Sequence, residues 1–393
     1  LFYQLTSPGN LDKLHLEELL GWTADTLNRV DRSSFFEKFS KNEAVQYFYE
    51  PFLEAFDEEL REELGVWYTP REIVKYQVQR IATVLRDELD IDDGLADNRV
   101  KILDPCCGTG SYLVETVEFL EERFREQGEG DLAPKHAKEA VTSRIFGFEI
   151  LTAPFVVSHL QLGLTLAELG APLGEEERAE VYLTNALTGW KGSSQADIPY
   201  SSLEEEREEA DSIKQDEDIL VILGNPPYEG ISGFDPKKDE REDLSDENRE
   251  TSEDVPDPNG SGLSYLYVQF YRIAERQVTE NTGKGIVSYI SNYSWLEKPS
   301  HPGMREQFLE EFDEIWVDNM NGDRFKTGKR TPDGKPDPSV FSTEYSRTGI
   351  QVGTAVSVLL RDEGSEERSD VHYRQFWGKN KRSELVGTSD LSG

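Results

Sequence analysis

Cysteine is almost absent from the 393-residue chain, and the two that occur, Cys106 and Cys107, are adjacent. Neighbouring cysteines bridge only with strain, and no Cys-x-x-Cys spacing accompanies the five histidines. Neither a disulfide framework nor a structural zinc site is expected, and the pair reads as small, reduced packing residues. No apolar run reaches transmembrane length and no signal peptide is recognisable, so the chain reads as cytoplasmic, with no membrane partner. Basic residues are scarce too: 42 Lys+Arg face 78 Asp+Glu, a formal net charge of −36. Phosphate binding needs clustered cations, so one reading is a surface that repels nucleic acid. The acidic residues are, however, dispersed over 57–63, 87–93, 204–218 and 235–254 rather than packed into one tail. Dispersal fits a halophilic host, where molar salt shortens the Debye length to about 3 Å and self-repulsion costs little. Total charge then does not argue against a nucleic-acid partner.

The chain is long enough for a large α/β core plus one or two smaller units. It begins at Leu1 rather than Met and ends on a polar stretch, and both ends read as cuts in a longer polypeptide. Residues 11–64 carry apolar positions at helical spacing (Phe35, Phe36, Phe39; Phe48, Phe52, Leu53, Phe56), which predicts an all-helical unit over 1–66. From residue 100 onward, short apolar runs at 100–103, 144–148, 181–184, 219–223, 285–291, 314–317 and 355–360 alternate with amphipathic helices. That repetition predicts an α/β fold, a mostly parallel, doubly wound sheet with helices on both faces, spanning 67–362. Two segments interrupt it: an acidic insertion at 235–262, and a loop at 324–338 holding Arg324, Lys326, Lys329, Arg330 and Lys335. That loop either touches phosphates or is simply solvated. Residues 363–393 read as a linker.

Five places carry chemistry. The run from Val100 to Ser111 takes a buried strand through Asp104, Pro105, Gly108 and Gly110 into a helix. Glycines there admit a ligand against the backbone, and the helix N-terminus offers N–H groups. A carboxylate before the glycines would repel a dinucleotide pyrophosphate but suits the ammonium of a methionine moiety; otherwise this is a plain strand–turn–helix corner. Glu149 ends a second strand, where it suits two ribose hydroxyls, although an acid after a strand is common. Tyr68-Thr69-Pro70 followed by Glu72 reads as a capping box with Thr69 as N-cap, or as a helix end facing a cofactor carboxylate. Asn185 ends another strand, where it would read the edge of the cofactor's adenine.

The fifth place is Asn225-Pro226-Pro227-Tyr228, delivered by the buried run 219–224. An exocyclic adenine nitrogen is a poor nucleophile because its lone pair is conjugated into the ring. The Asn225 side-chain oxygen and the Pro226 carbonyl form an acceptor pair for both amino hydrogens, favouring a tetrahedral nitrogen without a strong base. The prolines hold the pair in place, and Tyr228 can stack on a base drawn from the duplex. Trp295 and Phe341 are either further stacking partners or core aromatics.

Asp104-Pro-x-x-Gly-x-Gly followed by Asn225-Pro-Pro-Tyr228 resembles the amino methyltransferases of adenine in DNA, in the gamma-class order with Tyr68-Thr69-Pro70 ahead of the glycine turn. The stretches 47–53 and 65–70, Gly285-Ile-Val-Ser-Tyr-Ile-Ser-Asn292 and Asn321-Gly-Asp-Arg324 are similar to the coupler and methyltransferase region of single-polypeptide type I (type ISP) restriction–modification enzymes. The resemblance implies S-adenosyl-L-methionine as cofactor, held by Tyr68, Thr69, Pro70, Asp104, Pro105, Gly108, Gly110 and Glu149. Asn185 departs from the pattern, standing where many relatives carry an acidic residue. It implies Asn225, Pro226, Pro227 and Tyr228 at the target adenine, and double-stranded DNA as partner. It further implies a nuclease and motor before this region and a target-recognition domain after it. Two other readings stay open: a methyltransferase of a glutamine amide in protein release factors, and an inactive coupling module of a larger enzyme.

Overall fold

The computed structural model describes residues 68–190, 201–228, 251–253, 255–259, 262–342, 349–362 and 369–388, with the single positions 22, 29, 244 and 249. The helical unit expected over 1–66 and most of the acidic insertion lie outside the described residues.

Strands β1 (Lys101–Asp104), β2 (Ile145–Glu149), β3 (Val181–Leu183), β4 (Ile219–Gly224), β5 (Gly285–Asn292), β6 (Glu314–Asn321), β7 (Thr354–Arg361) and β8 (Asp370–Gln375) form one sheet in the order β3-β2-β1-β4-β5-β7-β6-β8. All pairings are parallel except those of β7, which runs against both β5 and β6. The expected mostly parallel α/β sheet is the one observed. Seven strands therefore end at one edge, and the order reverses between β1 and β4. A crevice opens at such a reversal because the connections leave the two strand ends in opposite directions.

Successive strand residues face opposite sides. Ile102, Val221 and Ile286 join one apolar layer with helices α1 (Arg71–Asp87), α2 (Ser111–Glu126), α3 (Ala133–Val141) and α4 (Thr152–Leu169). Their neighbours Leu103, Ile222 and Val287 join the other, with α5 (Ser201–Asp216), α6 (Leu266–Arg276) and α7 (Pro302–Glu311). Burial on both sides explains why the runs are continuously apolar rather than alternating.

Two details differ from the sequence reading. Residues 369–388, expected within a linker, contribute β8, paired in parallel with β6, and α8 (Lys381–Val386), which packs on α1. Strand β8 is a half-exposed edge of alternating polar residues, so it has no apolar run to announce it. The basic loop is tied down at both ends. Buried Asp323 accepts the Phe325, Lys326 and Gly353 amides at 2.6, 2.7 and 3.1 Å. Buried Asp337 accepts the Gly322 and Gly378 amides at 2.8 Å each and pairs with buried Lys381 at 2.9 Å. No helix among the described residues is long and apolar enough to cross a membrane.

Candidate functional site

Asp104, the last residue of β1, is wholly buried at the switch point. Its Oδ1 accepts the Cys106 amide at 3.0 Å, while Oδ2 is buried with no hydrogen-bond partner among the described residues. Burial pushes its pKa to about 7, opposed by the Cys106 amide. Such an arrangement is costly unless a cation arrives. Behind buried Pro105 the chain turns through Gly108 and Gly110, both in the left-handed region at φ +55° and +88°. A Cβ on Gly108 would meet nothing within 4 Å, so the turn opens on space; Gly110 packs against Ser158 and starts α2. The two thiols are free, and burial pushes both well above the usual range.

Glu149 ends β2 beside this turn. Its Oε2 accepts the Gly108 amide at 2.9 Å and its Oε1 the Leu151 amide at 2.7 Å, and burial raises its pKa to about 7. One carboxylate thus aligns the glycine turn, and each oxygen has a second lone pair for a hydroxyl. Asn185 follows β3, but its Oδ1 accepts the Leu187 amide at 3.0 Å within its own turn. Lys214, fully buried on α5, steadies that turn through Thr184 Oγ1 at 3.1 Å and the Asn185 carbonyl at 3.2 Å. The Asn185 oxygen therefore serves the chain.

Strand β4 brings Asn225 to the same place. A Cβ on Gly224 would sit 2.7 Å from Asp104 Oδ1, so only glycine lets the two strand ends lie this close. The Asn225 Nδ2 donates to Thr69 Oγ1 at 3.0 Å. This overturns the capping box. Helix α1 begins at Arg71 with Pro70 as its N-cap and no side-chain cap, and Thr69 turns to the loop after β4 instead. The Thr69 hydroxyl also hydrogen-bonds the Tyr112 phenol. Tyr112 donates to Gln77 Oε1 at 2.6 Å, and Gln77 Nε2 donates to Ser288 Oγ at 3.0 Å. This buried chain from β5 through α1 and α2 to Asn225 was invisible in the sequence, because its bonded partners are up to 211 residues apart. The Asn225 NH2 is thus engaged by Thr69.

Pro226 is buried and Pro227 half-buried. Tyr228 is buried too, its hydroxyl without a hydrogen-bond partner among the described residues, and its ring meets Phe341 edge-on at 6.4 Å between centroids. Phe341 thus lies in the same aromatic wall, whereas Trp295 packs with Tyr271 and Phe308 in the sheet core. Tyr68 stands half-buried at the start of this corner. Asp104, Gly108, Gly110 and Glu149 thus gather around one turn, and Thr69 and Asn225 meet beside it.

Solved structures similar to this chain include a DrdV–DNA complex, with a TM-score of 0.71 at 22% identity, covering 98% of this chain and 35% of that one. The type ISP restriction–modification enzyme LlaBIII bound to DNA has a TM-score of 0.67 at 22% identity over 90% of this chain and 22% of its own. A nuclease-deletion mutant of the type ISP enzyme LlaGI with a DNA substrate mimic has 0.67 at 22% identity, over 88% of this chain and 27% of its own. These likenesses concern the fold, and the chain spans about a third or less of those proteins. No curated protein matches. The N-6 DNA methylase family matches residues 40–287, more than half of the chain, from ahead of the Thr69 corner through the β4 loop into β5, and the chain belongs to that family.

Proposed function

We propose that this chain transfers a methyl group from S-adenosyl-L-methionine to the exocyclic N6 of an adenine swung out of double-stranded DNA. It would be the chemical centre of a larger restriction–modification polypeptide whose nuclease, motor and target-recognition parts flank it. The observation that carries the reading is the meeting of β1 and β4, where the Asp104 carboxylate lies against Gly224 and Asn225 is oriented by Thr69.

The residues present fit the cofactor. Asp104 Oδ2 is a buried acceptor awaiting a cation, and the open turn at Gly108 leaves room beside it. Asp104 would hold the methionine ammonium and Glu149 the ribose hydroxyls. The Gly108–Gly110 turn would let the ligand approach the backbone, and Tyr68, Thr69 and Pro70 would close the carboxylate end. Bound there, the cofactor supplies an electrophilic methyl group on a sulfonium. Asn225 Oδ1 and the Pro226 carbonyl accept the two amino hydrogens of the adenine, which localises the nitrogen lone pair; Pro226 and Pro227 hold both acceptors in place. Tyr228 would stack on a face of the base, with Phe341 supporting its ring edge-on. The dispersed acidic surface fits a cytoplasm of molar salt, which sets the assay conditions.

Full-length protein expressed with DNA is expected to yield N6-methyladenine by mass spectrometry. Asn225→Ala is expected to reduce transfer by at least about a hundredfold while leaving cofactor affinity within a few-fold. A methylated glutamine amide in place of methylated adenine, or equal loss of transfer and cofactor binding in that variant, would overturn the reading.

A further inference from the structure

Phe325 is 78% exposed, more than any other large apolar side chain among the described residues. Its backbone is nonetheless fixed. The Phe325 and Lys326 amides bond to buried Asp323, Gly328 donates to the Arg324 carbonyl at 3.1 Å, and Lys329 donates to the Asp323 carbonyl at 2.9 Å. The turn starts at the carboxyl end of β6, on the same sheet edge as Asp104 and Asn225, and the segment it opens returns to Phe341 against Tyr228. Arg324 and Arg330 are exposed on the loop, and among the described residues their side chains bond to neutral oxygens, of Gln351 and Gly334. Lys326 pairs with Glu297, and Lys335 with Asp333 at 2.7 Å. A rigid, solvated aromatic flanked by two arginines thus stands on the same sheet edge as the Asp104–Asn225 corner, in a chain with net charge −36.

We infer that Phe325 enters the duplex where the target adenine leaves it, with Arg324 and Arg330 on the neighbouring phosphates; this rests on the DNA reading above. An extruded base leaves a gap between apolar base faces, and an aromatic wedge restores part of the lost stacking. The fixed turn means that no loop ordering opposes insertion. The arginines match phosphate geometry, and at contact distance their hydrogen bonds to phosphate are little screened by salt.

The test uses the full-length protein and duplexes carrying its own methylation site, located by sequencing modified bases in DNA from expressing cells. With 2-aminopurine at the target position, Phe325→Ala is expected to lower the extrusion signal and the turnover by about tenfold, and Phe325→Trp to retain both. Cofactor affinity and thermal stability should be unchanged, since the side chain packs against little. Placing the target adenine in a mismatch, already poorly stacked, is expected to bring Phe325→Ala back to within a few-fold of the parent. An active parent whose Phe325→Ala variant extrudes and methylates normally overturns this inference alone. Equal loss on matched and mismatched DNA does so as well. A parent that methylates no adenine overturns the DNA reading and the inference with it.

Discussion

Replacing Asp104 by asparagine separates what the site costs from what it does. In the folded chain burial pushes this carboxyl to about 7, against an ordinary value of 3.8. Between those two values the folded protein holds a proton that the unfolded chain has released. Stability therefore falls as pH rises through the window, and the whole cost is present above it. At pH ~8 that cost is on the order of 4 kcal/mol. Asparagine does not titrate. Its oxygen can keep the bond from the Cys106 amide, but its NH2 replaces the partnerless Oδ2 and costs about 1–3 kcal/mol at every pH. About 1 kcal/mol of the parent's cost is already present near pH ~4.5, so the variant should be less stable than the parent by up to about 2 kcal/mol there, and more stable by about 1–3 kcal/mol near pH ~8. Glu149 titrates over the same range in both proteins and cancels to first order in the difference. Urea unfolding of the cofactor-free chain in molar KCl at both pH values measures the sign change. A stability difference that does not vary with pH would refute the reasoning.

The same substitution should lower S-adenosylmethionine affinity by about a hundredfold or more at pH ~8, because the ammonium loses its buried counter-charge. In the parent, affinity should climb as pH rises towards about 7 and then level off, since only the ionised Asp104 attracts the ammonium. Calorimetry over that range reads both effects.

Thr69→Val removes the acceptor that orients the Asn225 amide; kcat should fall about tenfold with cofactor KM little changed, and Thr69→Ser should restore it. Equal changes in kcat and KM would place Thr69 in cofactor binding alone. Lys381→Met strands buried Asp337 without its cation and should cost about 3–5 kcal/mol in urea unfolding, with earlier proteolysis after residue 376; an unchanged midpoint would mean that the Gly322 and Gly378 amides suffice.

What could be read from the chain and what could not divides along a physical line. Seven strands were legible because each is buried on both faces and therefore continuously apolar, as at 219–223 and 285–291. Strand β8, at the edge, alternates polar residues and was taken for linker. The polar end of β6 escaped for a related reason: Asp318 and Asn319 are buried, but by partners elsewhere, Tyr76 and Arg374 for one and Tyr373 for the other. Thr69 shows the same limit at the site itself. Local rules made it an N-cap, because a Thr-Pro-x-Glu stretch satisfies its own backbone; the donor that won its hydroxyl oxygen, the Asn225 NH2, lies 156 residues away. Motif reading locates residues whose chemistry is fixed by type, such as Asp104 and Asn225. Which atom of each faces a substrate is decided by polar partners, and those partners carry no periodicity. Gln77 and Tyr112 are unremarkable helix residues, yet through Thr69 they set which way round the Asn225 amide is held, and on the proposed adenine reading the opposite orientation would repel the amino group.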